Sequence, residues 1–203
     1  MPYFKEANIL FIHIPKTGGT SFEKYMLTKS TIALHSKLEE NKLPDTNLQK
    51  VSLQHQSYNT LYKYRDILEI DFNENLIKIA FVRNPYERII SDIFWLKFND
   101  ENDSPEEICD TIREYYFNRD DIDNHNKEQY LFVTDEEGNL IPDITILKME
   151  NLTNDLHKIG FTDYEGPIHV SSYMKYLNKE SIDIINMVYK KDFELFGYEM
   201  IQH

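Results

Sequence analysis

Apolar and polar positions follow two rhythms along this chain. Residues 9–14, 76–82 and 144–149 are short, almost continuously apolar runs, the pattern of strands buried on both faces. Between them apolar residues return every three or four positions. Helices are therefore expected over 21–29, with Phe22, Tyr25 and Met26 inward, over 61–70, and over 86–98, with Ile89, Ile90, Ile93, Phe94 and Leu96 largely buried. Ser104-Pro-Glu-Glu107 is a capping box opening a helix that runs to about Phe117, Asn151 caps another that ends near Gly160, and 180–196 forms a closing helix. Residues 51–54 make a possible short strand with His55 at its end. Residues 130–133 and 140–141, on either side of Asp135-Glu-Glu-Gly-Asn139, look like a hairpin. Residues 30–50, broken by Pro44, and 118–126 are polar connections. Strands alternating with helices imply one α/β domain over 1–203, three layers deep, with a central, mainly parallel sheet. Ligands then bind beyond the carboxyl ends of the strands.

Two strand ends carry chemistry. The first strand stops at Pro15 and runs into Lys16-Thr-Gly-Gly-Thr-Ser21. Glycines at 18 and 19 permit positive φ and let a ligand approach the backbone, and Thr20 or Ser21 can cap the next helix. Unpaired amides and the helix dipole then converge on one point, to which Lys16 adds a full charge: an anion site. The order of residues is not that of the Walker A loop, whose glycines precede its lysine. The second strand runs into Arg83-Asn-Pro-Tyr-Glu-Arg-Ile-Ile-Ser91. Pro85 suits the first turn of a helix, which puts Arg83 at the strand end and Ser91 about two turns along. Arg88 is expected to be structural, paired with Glu87 or another acid.

Together these two stretches resemble the sulfotransferases that use 3′-phosphoadenosine 5′-phosphosulfate (PAPS), with wording closest to the branch of heparan 2-O-sulfotransferases and bacterial carbohydrate sulfotransferases. The resemblance implies a P-loop-like fold and assigns the 5′-phosphosulfate to Lys16, Thr17, Gly18, Gly19, Thr20 and Ser21, and the 3′-phosphate to Arg83 and Ser91. It further implies that His125-Asn-Lys-Glu-Gln129 lines the acceptor side, with His125 and Gln129 as contacts. His169-Val-Ser-Ser172 would close over the nucleotide, with Ser171 as a contact, and Glu150 would be a buried carboxylate that orients a neighbour.

Composition narrows the acceptor. The 203 residues carry 22 basic and 35 acidic side chains, a net charge of −13. This argues against nucleic acid and anionic membrane surfaces as partners, and suits a neutral or weakly charged carbohydrate or small glycosylated molecule better than a polyanion. Cys109 is the only cysteine and no apolar run reaches the length of a membrane span, so a cytoplasmic enzyme is the simplest expectation. Composition says nothing of oligomeric state.

Sulfuryl transfer to a hydroxyl needs charge stabilisation on the leaving phosphate and a base on the acceptor. Lys16 and the loop amides can supply the first without a metal, and no acidic magnesium ligand follows the 76–82 strand. Among seven histidines, His55 is the expected base and His125 the runner-up. His13 is expected in the core, and His157 and His203 at the surface. A metal-dependent nucleotide or small-molecule kinase and a non-catalytic nucleotide-binding protein are the alternatives.

Overall fold

The computed structural model describes residues 2–33, 41–118, 122–166 and 173–202. A five-stranded sheet has the order β3-β1-β2-β4-β5, with β1 at Tyr3–Phe4, β2 at Ile9–Ile12, β3 at Ile32–Ala33, β4 at Ile77–Val82 and β5 at Ile144–Lys148. The three longer strands are parallel, with Phe11 opposite Ile79 and Ile79 opposite Thr145; β1 pairs antiparallel with β2 and β3.

Period-two alternation decides the layers. Ile9, Phe11, Ile79, Phe81 and Leu147 face one way and pack against Phe22 and Met26 of helix α1 (Gly19–Met26) and Leu152 and Leu156 of a helix at Leu152–Lys158. Leu10, Ile12, Ala80 and Val82 face the other way, onto Leu61 of α2 (Tyr58–Lys63), onto Phe132 and Val133, and onto Phe196 near the chain end. Both faces are covered, which is why β2 and β4 read as nearly unbroken apolar runs. A further cluster joins α3 (Pro85–Trp95), α4 (Pro105–Phe117) and Lys179–Val188 through Ile89, Ile93, Ile112, Tyr115 and Ile185. The remaining helices are α5 (Tyr130–Val133), α6 (Leu152–Lys158), α7 (Lys179–Val188) and α8 (Lys190–Phe196). The fold is the expected α/β one, with a sheet whose long strands are parallel.

Local departures have local causes. Residues 51–54 form no strand: the carbonyls of Leu48 and Val51 are taken by the side-chain amides of Asn41 and Gln56, and Leu53–His55 turns as a 3-10 helix. Side chains satisfy the groups that a ladder would have used. Residues 130–133 are helical, and only Thr134 bridges to Leu140. The closing helix breaks at Tyr189 (φ −98°, ψ 21°), whose ring is buried with its hydroxyl bonded to that of Tyr116. Helix α2 stops at Tyr64 instead of running to Ile70. The capping box at Ser104 and Glu107 forms as expected.

Candidate functional site

The loop after β2 is held open by conformation. Lys16 has φ +67° and Gly18 φ +92°. Gly18, rather than Thr20 or Ser21, is the N-cap of α1, and no side chain caps it. The amides of the first turn, Gly19 and Thr20, therefore have no intrahelical acceptor. Ser21 turns back, its Oγ donating to Gly18 O at 2.7 Å and lying 2.6 Å from the Tyr164 hydroxyl, while Thr17 Oγ1 donates to Ile14 O at 2.8 Å. Those two hydroxyls brace the loop, and neither residue lines the cavity beyond it. Gly19 is required by space: a Cβ there would lie 2.3 Å from the His13 ring.

Arg83 leaves β4 beside this loop. Its Nη1 donates to Lys16 O at 3.3 Å and its Nε to Glu87 Oε2 at 3.4 Å. Glu150 Oε1 accepts the Asn84 N–H at 2.6 Å, and its Oε2 accepts the Tyr198 hydroxyl at 2.9 Å, so this carboxylate fixes the start of α3. Helix α3 then presents Arg88, Ser91, Asp92 and Trp95 at helical spacing. Arg88 is fully buried and bonds to carbonyls instead of acids: Pro15 O at 3.0 Å, His125 O at 2.8 Å and Lys127 O at 2.9 Å. Ser91 faces the cavity. Asp92 accepts from His125 Nδ1 at 2.6 Å and from the Tyr115 hydroxyl. The Trp95 indole lies parallel to the His125 ring, with Lys16 Nζ 4.9 Å from its centroid.

These groups enclose a cavity of about 310 Å³ lined by Lys16, Gly18, Gly19, Thr20, Arg83 and Ser91 together with His13, Gln54, His55, Trp95, Asp123 and His125. A neighbouring cavity of about 230 Å³ shares Arg83 and Ser91 and continues past Phe94, Tyr173 and Tyr176. Burial draws the Lys16 ammonium below its ordinary value, Asp92 opposes that, and Arg83 adds to it. Lys16 is a partly desolvated cation beside Arg83, whose guanidinium is already paired with Glu87, so an anion entering the cavity finds Lys16 the less compensated charge.

Three histidines meet in the same cavity, each beside a carboxylate. His55 Nδ1 lies 2.8 Å from Asp123 Oδ2, His125 pairs with Asp92, and His13 Nδ1 lies 2.5 Å from Glu23 Oε1, a close approach off the line of a good hydrogen bond. The His55 ring stands edge-on to both of the others. Burial holds His55 down to about 4 against the pull of Asp123, so the imidazole is neutral at physiological pH. Asp123 is raised by burial but lowered more by His55 and by Ser52, whose N–H and hydroxyl both donate to it. Its net shift is downward, and it is ionised.

Lys16, Gly18, Gly19, Thr20, His55, Arg83, Ser91 and His125 line one cavity together, and His13 adds a cavity wall to its core role. Gln129 is a correction: it is fully buried, lines neither cavity, and bonds the Arg83 backbone and Asp192. Its amide is engaged by those partners and shut away from both cavities. Ser171 and His169 lie outside the described residues. Asp92, Trp95 and Asp123 were missed. The first two continue the helical stripe from Arg88, which a reading of the polar face of α3 would have found; Asp123 sits in an irregular loop with no pattern.

Residues 3–199 match the model of the sulfotransferase family. This chain belongs to the sulfotransferase family. Searches of curated proteins and of solved structures return no match. The match spans both strand ends and nearly the whole chain of this sulfotransferase, and the cavity sits where its two motifs meet. Among the described residues, no helix is long and apolar enough to cross a membrane.

Proposed function

We propose that this sulfotransferase moves the sulfuryl group of PAPS to a hydroxyl of a carbohydrate or small glycosylated acceptor. The observation that carries this reading is the presence of two cations and a neutral base in one cavity. Lys16 and Arg83 follow adjacent parallel strands, and the His55–Asp123 pair lines the same cavity.

In this reading the 5′-phosphosulfate occupies the Lys16–Thr20 loop, the 3′-phosphate lies against Arg83 and Ser91, and the base enters the cavity bounded by Phe94, Tyr173 and Tyr176, whose aromatic rings suit a nucleobase. With Nδ1–H donated to Asp123, His55 carries its lone pair on Nε2, where the Gln54 amide sits at 3.4 Å and an acceptor hydroxyl would take its place. The acceptor oxygen forms a bond to sulfur as the bond from sulfur to the bridging phosphate oxygen breaks. His55 takes the proton, Asp123 stabilises the imidazolium, and Lys16 with the loop amides meets the charge that grows on the departing phosphate. The anionic donor beside His55 also favours the protonated imidazole, raising a base that is weak in the empty cavity. A net charge of −13 and Asp123 at the acceptor wall favour a neutral acceptor over a polyanion.

Calorimetric titration with 3′-phosphoadenosine 5′-phosphate and with ATP-Mg²⁺, on wild type and Arg83→Ala, tests the donor site. Metal-independent binding of the bisphosphate that weakens about 10–100-fold in Arg83→Ala is expected, in line with loss of a charge-assisted contact. Preference for ATP-Mg²⁺ would move the reading to a kinase. A PAPS-dependent screen of neutral sugars then addresses the acceptor.

A further inference from the structure

The His55–Asp123–His125 cluster has a property that proton transfer does not require. Each of the three residues offers one ligand atom, and these atoms lie within 4.8 Å of one another on the wall of an open cavity. We infer that this cluster is a binding site for a divalent d-block cation, zinc being the ion it fits best, and that such an ion excludes the acceptor from His55. The second half of that inference rests on the reading of His55 as base; the first does not.

The donor set is two imidazoles and one carboxylate, the composition of three-ligand zinc sites that keep a fourth position open. The cavity supplies that position to water. Ligands about 2.0–2.1 Å from a tetrahedral zinc are roughly 3.4 Å apart, so the widest pair of the cluster closes by up to about 1.4 Å when the ion enters. The outer contacts are those such a site uses. His125 has Nδ1 engaged by Asp92, which fixes its ring and directs Nε2 outward. Asp92 is held in turn by the Tyr115 hydroxyl, and Asp123 by the N–H and hydroxyl of Ser52. Lys16 and Arg83 line the same cavity, and Lys16 Nζ lies 4.9 Å from the Trp95 ring that stacks on His125, so an anion on Lys16 and an ion on this cluster would be close neighbours.

The test is calorimetric titration of the untagged full chain with zinc, on wild type, Asp123→Asn, His125→Gln and, as a control remote from the cavity, His157→Gln. One equivalent of zinc that binds wild type and His157→Gln alike, and at least 10-fold more weakly to Asp123→Asn and His125→Gln, is expected. Nitrogen NMR of wild-type imidazoles provides a reading that needs no variant: zinc should shift one nitrogen each of His55 and His125 and leave His157 in place. Absence of saturable binding, or binding that shifts neither His55 nor His125, overturns the site. Binding of 3′-phosphoadenosine 5′-phosphate is measured in the same samples. If zinc binds as expected and the bisphosphate does not, the donor reading fails and the metal site stands. If both bind, zinc should abolish sulfuryl transfer and a chelator should restore it; transfer unaffected by zinc at saturation would overturn the competition with His55.

Discussion

Gln129 grips Arg83 at both backbone groups: its Oε1 accepts the Arg83 N–H at 2.9 Å and its Nε2 donates to the Arg83 carbonyl at 2.9 Å. One side-chain amide thus continues the ladder past the point where β4 runs out of strand partners, and it sets the direction in which the guanidinium leaves the sheet. Asp192 completes the clamp by accepting the Gln129 and Tyr130 N–H groups. Gln129→Ala leaves a donor and an acceptor of a buried strand end unpaired, at about 1–3 kcal/mol each. A lower urea midpoint and weaker binding of the bisphosphate are expected together. An unchanged midpoint would show that water replaces the amide and that the clamp does not orient Arg83.

Lys16 combines a charge with a strained backbone. Lys16→Ala should lower the rate of sulfuryl transfer about 10²–10³-fold, the usual effect of deleting one preorganised donor to a developing anion. Lys16→Gly should be equally slow but more stable than Lys16→Ala by about 1 kcal/mol, because only glycine accepts a φ of +67° at no steric cost. Thermal melts of the two variants separate conformation from charge. Equal melting temperatures would mean that the loop relaxes away from that conformation.

Gly19 has no room to grow. The Cβ of Gly19→Ala would sit 2.3 Å from the ring of His13, which is itself fixed against Glu23. The loop or the ring has to move, at about 1–3 kcal/mol for an overpacked site. His13→Ala should restore most of the lost stability in the double variant. Independent, additive effects in that double-mutant cycle would contradict the contact.

The acid side of the stability profile belongs in part to His55. Its folded value of about 4 lies below its unfolded value of about 6.5, so the unfolded chain binds more protons between those limits. Stability from this group is complete above about pH 6.5 and is lost as pH falls toward 4, by about 3 kcal/mol at one pKa unit per 1.36 kcal/mol. Denaturation of wild type and His55→Gln at several pH values should show the variant losing less stability across that window. Parallel curves would put the titration elsewhere.

The two strand–loop–helix units were legible because their signals are local. Apolar runs, Pro15, the glycines and Pro85 each dictate backbone shape within a few residues, and Lys16, Arg83 and Ser91 follow at fixed offsets. His55 was found for a partly mistaken reason. It was expected at the end of a strand, yet it sits on a 3-10 turn that side-chain amides hold in place, and no pattern in 51–54 reports contacts with Asn41 and Gln56. Asp123 and Asp92 become partners of His55 and His125 only through tertiary contact, across 68 and 33 positions of sequence. Only the family resemblance places Gln129 in a stretch facing the acceptor, whereas its amide points inward to Arg83 and Asp192.

Arg88 reaches the carbonyls of Pro15, His125 and Lys127 at once. A single guanidinium therefore ties the first loop of the site to the segment that carries His125, and neither can depart without leaving a buried cation short of acceptors. The two ends of the cavity accordingly share one breathing motion: in hydrogen exchange, amides on the two segments should open together and with one free energy. Loss of shape at either end is then loss at both, and the protein is either competent throughout its cavity or nowhere in it.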